Sequence, residues 1–127
     1  MTTTQIATDA TLELVTRFES AFSPLDVDAL MADMTDDCVF EHVAPPAVSL
    51  GRHEGQAAVR AVWDSMPAHF PGFVIEATDI FAAGDRATCR WTMRWRQPDG
   101  SEASMRGVDV FTVRDGKIAE KLTYATM

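Results

Sequence analysis

The residue pattern predicts an α+β domain in which about three N-terminal helices pack on a strongly bent antiparallel sheet and enclose one pocket. Three observations carry this. Apolar residues recur at helical spacing as far as Phe70, and from Phe73 onward the apolar period shortens to that of strands. The second half is also punctuated by Gly84-Asp85, Pro98-Asp99-Gly100 and Asp115-Gly116, which join consecutive hairpins. Helices gathered on one face of a bent sheet leave a cone-shaped space between the layers, so a cavity accompanies the fold.

The elements follow in order. Leu14, Val15, Phe18, Ala21 and Phe22 mark a first amphipathic helix of about three turns, capped near Asp9, with residues 1–8 flexible. Ser23-Pro24 breaks it. Val27, Leu30, Met31 and Met34 repeat the pattern in a short second helix that ends before Asp36-Asp37. Cys38 to Val43 is rich in strand formers, and its alternation puts Cys38, Phe40 and His42 on one face, Val39 and Glu41 on the other. Pro45-Pro46 ends that strand, Val48 to Leu50 reads as a short strand, and Gly51 and Gly55 flank a turn. The third helix is marked by Val59, Val62, Trp63, Met66 and Phe70, with Trp63 toward the core. Four strands over 73–81, 87–97, 102–113 and 117–125 complete the chain.

Composition bounds the function. A chain of 127 residues with 46 % hydrophobic and 24 % charged residues fits one soluble domain spanning 1–127. The start has neither a basic nor an apolar leader region, and no window approaches a membrane span, so a cytoplasmic location is expected. Net charge is −8, and the acidic residues up to Glu41 face a single basic one, Arg17, which argues against nucleic acid and anionic membrane as partners. Cys38 and Cys89 lie inside strands without metal or redox spacing and read as buried free thiols. His53-Glu54 lacks the second histidine of a zinc motif, and no phosphate loop or nucleophile elbow appears, so neither metal nor cofactor is expected.

Hairpin geometry predicts which side chains meet. If Arg114-Asp115-Gly116 is a three-residue turn, Val113 faces Lys117, Phe111 faces Ala119, Asp109 faces Lys121 and Gly107 faces Thr123. Pairing Gln97 with Ser101 puts Trp91, Met93 and Trp95 on the face of Met105, Gly107 and Asp109, and turns Arg90, Thr92, Arg94 and Arg96 outward to solvent or a dimer contact. A bulge would exchange the two faces. His42 and Asp109 are then the titratable pair aimed into one cavity from different strands, the arrangement that proton transfer beside a carbonyl requires. Phe40 shares the face of His42, and Trp63, Trp91, Lys121 and Thr123 complete the wall for a flat, multi-ring or terpenoid ligand. The competing account makes His42 a core histidine, Asp109 a structural ion-pair member and the tryptophans plain packing. An ammonium beside Asp109 would keep that carboxylate ionised.

The segment Arg106-Gly-Val-Asp-Val-Phe-Thr-Val-Arg-Asp-Gly-Lys-Ile-Ala-Glu-Lys121, preceded by Asp36-Asp37-Cys-Val-Phe-Glu-His42, resembles the nuclear transport factor 2-like superfamily, in its SnoaL-like branch, over about Leu12 to Tyr124. The resemblance implies a cystatin-like cone and a homodimer. It also implies a range of chemistries, since the superfamily includes isomerases, dehydratases, cyclases, epoxide hydrolases and non-enzymes. Ketosteroid isomerase positions match Phe18, His42, Trp63 and Asp109; only the aspartate is kept, and Phe18 becomes a substrate-contact candidate by this match. There the strand aspartate is a neutral acid, which leaves two states open for Asp109. Epoxide hydrolase positions match Arg90, Thr92 and Thr123, without the two carboxylates that such a reaction needs, and would turn Arg90 and Thr92 inward. SnoaL-type cyclases share a strand aspartate, but the tryptophan after their Gly-Lys-Ile turn is replaced by Lys121 or Leu122. The expectation is a cofactor-independent isomerase or lyase acting on an apolar or aromatic carbonyl metabolite; the alternative is a non-catalytic ligand-binding or dimerisation module.

Overall fold

A computed structural model describes residues 1–43 and 51–127. The order is α1 (Thr3–Ser20), α2 (Val27–Ala32), β1 (Met34–Val43), β2 (Gly51–Glu54), α3 (Gln56–His69), β3 (Val74–Ala83), β4 (Arg86–Arg96), β5 (Glu102–Arg114) and β6 (Lys117–Thr126). The strands form one sheet in the order β2-β1-β6-β5-β4-β3, with the helices packed on it as an α+β arrangement. The expectation of an all-antiparallel sheet is corrected at one junction, because β1 runs parallel to β6. Distant strands carry no local pairing signal of the kind a turn supplies to a hairpin.

Helix α1 begins at Thr3, not near Asp9: Thr2 and Gln5 form a reciprocal capping box that satisfies the first backbone donors. Its stripe of Thr11, Leu14, Val15 and Phe18 is buried, and Thr8 and Thr11 clamp both backbone groups of Gly84 in the β3–β4 turn. Met34 belongs to β1 rather than to the second helix, since α2 stops at Ala32. Residues 51–54 form a strand against β1 where a turn was expected. The short strand expected at Val48 to Leu50 lies outside the described residues. Gln56, the first residue of α3, donates its side-chain amide to the carbonyls of Met31, Met34 and Thr35, which fixes that helix against the α2–β1 junction.

The β5–β6 hairpin shows how register is set. Asp115 and Gly116 both take positive φ (54° and 76°), so the loop has two residues and Arg114 pairs with Lys117. A register shift between Thr112 and Val113 leaves Ala119 unpaired on β6. Each change displaces the expected pairing by one residue, and the two add. Asp109 therefore stands opposite Thr123, Phe111 opposite Lys121 and Gly107 opposite Ala125. Because the side-chain period is two, the face assignment survives: Asp109 and Lys121 share the inner face as diagonal neighbours. In β4–β5 the expected pairing holds, with the Gln97 backbone N–H donating to the Ser101 carbonyl and Trp91 opposite Gly107.

The main core joins α1, α2 and α3 to the sheet through Val15, Phe18, Leu30, Trp63, Phe111 and Ile118. A smaller cluster of Trp91, Met93 and Met105 continues along the same face. No helix among the described residues is long and apolar enough to cross a membrane.

Candidate functional site

Between the helices and the concave face of the sheet lies a cavity of about 120 Å³. Its walls are apolar and come from α1, α3, β1, β4 and β5, with Phe22, Trp63, Phe40, Trp91 and Met93 among them. Glu19, Asp109, Lys121 and Thr123 make a buried polar part of the wall, whereas His42, Met66, Phe70 and Ala125 on the lining are only half-buried. The volume approaches the ~150 Å³ of an apolar cavity that takes one benzene molecule. A single ring or a branched chain of similar size fits. Trp63 and Trp91 line the space without filling it.

Asp109 is the anchor of the polar part. It is buried on β5, where Oδ1 accepts from Trp91 Nε1 at 3.1 Å and from Thr123 Oγ1 at 2.6 Å. Lys121 Nζ donates to Thr123 Oγ1 at 2.8 Å and lies 3.4 Å from Asp109 Oδ1, so Thr123 relays between ammonium and carboxylate. The ammonium also sits over three aromatic rings, 4.6 Å from the centroid of Phe40, 5.2 Å from Phe22 and 5.4 Å from Trp63. A buried ammonium needs a carboxylate and satisfied donors, and this one has both. Three donor groups converge on this one oxygen, the arrangement of a hydrogen-bond acceptor and ion-pair partner.

Glu19 is the residue that the sequence reading missed. It sits on the buried stripe of α1, four residues after Val15 and three before Phe22, with 5 % of its surface exposed. Burial, and then the negative charge of Asp109 and a hydrogen bond to it, push its carboxyl well above the usual range. Its Oε1 has no hydrogen-bond partner among the described residues, and neither does the indole Nε1 of Trp63 across the cavity wall. The signal was in the sequence: an acidic residue at an apolar position of an amphipathic helix is buried by periodicity. Burial and Glu19 together also raise the Cys89 thiol, so it remains protonated.

His42 projects from β1, beside Thr123 on β6. Its ring stacks on Phe40 at 4.9 Å and on His53 at 5.6 Å, both nearly parallel. Burial first, then repulsion from His53 and Lys121, lower its pKa, so the imidazole is a free base at neutral pH. Among the described residues it makes no side-chain hydrogen bond to Asp109; the two groups share the cavity without touching.

The structure brings His42, Asp109, Phe40, Trp63, Trp91, Lys121 and Thr123 to one cavity. It does not bring Phe18, which packs in the main core edge-on to Phe22 and Phe111 and is absent from the lining. Trp95 packs on Phe70 instead. Arg90 and Thr92 are exposed on the outer face, so the inward orientation implied by the epoxide hydrolase match is corrected in favour of the hairpin pairing.

A family model described as SnoaL-like domain matches residues 15–121. Among solved structures, the chain is 36 % identical to an NTF2-like protein of unknown function from Mesorhizobium loti, with a TM-score of 0.74 over 93 % of this chain and 92 % of that one. It is similar in fold to an LEH-like epoxide hydrolase from Mycobacterium tuberculosis, at 24 % identity, TM-score 0.75, covering 93 % of this chain and 84 % of that one. An NTF2-like protein of unknown function from Burkholderia pseudomallei K96243 gives 20 % identity and TM-score 0.79 over 90 % and 88 % of the two chains. Comparison with curated proteins gives no match.

Proposed function

Because the chain belongs to the SnoaL-like domain family, whose fold frames one apolar cavity here, we propose that it is a small cytoplasmic, cofactor-independent enzyme of isomerase or lyase type. It moves a proton on an apolar carbonyl compound of about one ring in size. His42 is the general base, Asp109 balances the charge that develops, and Lys121 and Thr123 hold Asp109 in place. Phe40, Trp63 and Trp91 form the substrate's apolar wall. The observation that carries this reading is an imidazole with a lowered pKa on the lining of a cavity whose wall also holds a paired carboxylate and ammonium. A homodimer through the outer sheet face accompanies it.

Hydrogen exchange at the α-carbons of cyclohexanone in D2O, followed by NMR, tests the reaction without the natural substrate. The protein should accelerate exchange over buffer, and His42→Ala should remove the acceleration while the fold is retained. The rate should rise with pH through a midpoint below 6.5, the ordinary histidine value, because the lowered pKa keeps the base unprotonated to more acidic pH. Exchange undiminished in His42→Ala would sink the assignment.

The second reading is a ligand-binding module without catalysis. It is favoured by the stacked ring of His42, which no carboxylate orients among the described residues. Cyclohexanone binding without exchange would select it.

A further inference from the structure

The outer face of the sheet, behind the cavity, carries positive charge that the cavity does not use. Cross-strand pairing sets two adjacent rows over β4, β5 and β6: Arg90, Val108 and Tyr124 in one, Thr92, Arg106 and Thr126 in the next. Arg90 and Arg106 are therefore diagonal neighbours, roughly 7–8 Å apart at the backbone, close enough for two long side chains to meet on one ligand. Both are exposed. All six residues line one groove of about 510 Å³, and no carboxylate lines it among the described residues. Arg17, Arg52, Arg60, Arg94 and Arg114 each hold an acidic partner. Arg90 and Arg106 hold none among the described residues, although the chain carries −8, and Asp79, across from Arg90 on β3, makes no ion pair with it. The polar side chains that face this groove are guanidinium and hydroxyl groups.

We propose that this groove is an anion site that takes a phosphomonoester with a small aromatic body. Two uncompensated guanidinium groups call for two negative charges. A carboxylate supplies one, whereas a phosphomonoester carries nearly two at pH 7 and presents three acceptor oxygens. The planar forks of Arg90 and Arg106 bind phosphate oxygens in pairs, and the hydroxyls of Thr92 and Thr126 can donate to those that remain. The groove is larger than a phosphate group, and Val108 with the half-exposed ring of Tyr124 gives the rest of the ligand an apolar side. The site lies on the opposite face of the sheet from the cavity and does not depend on the chemistry proposed there. A second copy laid on this face about a two-fold axis brings the same arginines together, so the anion is held between the copies and relieves their repulsion.

NMR titration of the full chain with phenyl phosphate, at constant ionic strength, tests the site. Shifts should centre on the backbone amides of Val108 and Thr126 and leave the His42 ring unmoved. Arg90→Ala and Arg106→Ala should each weaken binding at least fivefold, while Arg96→Ala, which removes an exposed arginine of the same strand outside the groove, changes it less than twofold. Tyr124→Ala should weaken phenyl phosphate at least threefold and leave inorganic phosphate unchanged. In sedimentation, phenyl phosphate should hold or raise the dimer fraction. Equal losses in all three arginine variants would show attraction to diffuse charge alone, and shifts confined to the cavity would put the ligand on the other face; either overturns the proposal, as does the absence of binding. Dissociation of a dimer by phenyl phosphate also overturns it, by making the second copy the occupant of the groove.

Discussion

Gly107 has no side chain because the indole of Trp91 lies across it. A Cβ there would press into that ring and come within 2.8 Å of the Tyr124 carbonyl oxygen, and neither a ring packed on both sides nor a backbone carbonyl yields easily. Gly107→Ala is therefore expected to destabilise the fold by about 1–3 kcal/mol and to break the Trp91–Asp109 hydrogen bond. Thermal unfolding and the Trp91 indole N–H resonance would register the two effects. Glu19 makes the opposite case. Its raised pKa means that above the ordinary value of 4.5 the unfolded chain releases a proton that the folded protein keeps, so stability is lost as pH rises toward the folded pKa. Glu19→Gln should consequently stabilise the protein at pH 7–8 by about 0.5–2 kcal/mol and give no gain at pH 4. Melting curves at both pH values decide it. At this scale, the sequence placed Asp109 and Lys121 on one face by hairpin pairing, and the two-residue displacement of that pairing left the face unchanged. Glu19 escaped because the helix pattern was traced through its apolar members, and an acid on that stripe announces itself only when charged residues are placed on the wheel as well.

Among the elements, hairpins were legible and their neighbours were not. Turn residues fix a loop locally, as Asp115 and Gly116 do, whereas the bulge at Ala119 has no residue type that demands it. The start of α1 was readable from Thr2 and Gln5, a pair three apart, but the run of threonines resembled a loose terminus. Strand β2 is four residues long and precedes a glycine with φ 88°, so its local features are those of a turn. Gln56 joins three of these elements through one amide nitrogen, with acceptors at 3.1, 3.1 and 3.0 Å. Gln56→Ala should leave buried carbonyls unpaired at the α2–β1 junction and cost about 1–3 kcal/mol. Denaturant unfolding with an unchanged slope would show that the loss is one of stability and not of compactness.

For the molecule as a whole, charge is unevenly divided. The chain carries −8 overall, but the outer sheet face presents the exposed side chains of Arg90, Arg94 and Arg106 next to Tyr124, which is 48 % exposed. A tyrosine framed by arginines is the composition of an interface centre. Sedimentation at two protein concentrations should show dimer giving way to monomer on dilution, and Arg106→Glu should favour the monomer; monomer at both concentrations would remove the outer face as an interface. That face was legible from alternation in β4, whereas the cavity volume was not, because a void is what packing leaves over and no residue encodes it.

The parallel pairing of β1 with β6 also bears on how the chain reaches this structure. Val39 and Glu120 become neighbours across most of the chain, while β3 to β6 close by short turns. Contacts so far apart must overcome a large loop entropy before they contribute stability, and they slow folding relative to local hairpins. The hairpins are thus positioned to form early and β1 to dock late. Since β1 supplies Phe40 and His42, the cavity would be the last feature of the protein to exist during folding and the first to vanish when β1 detaches.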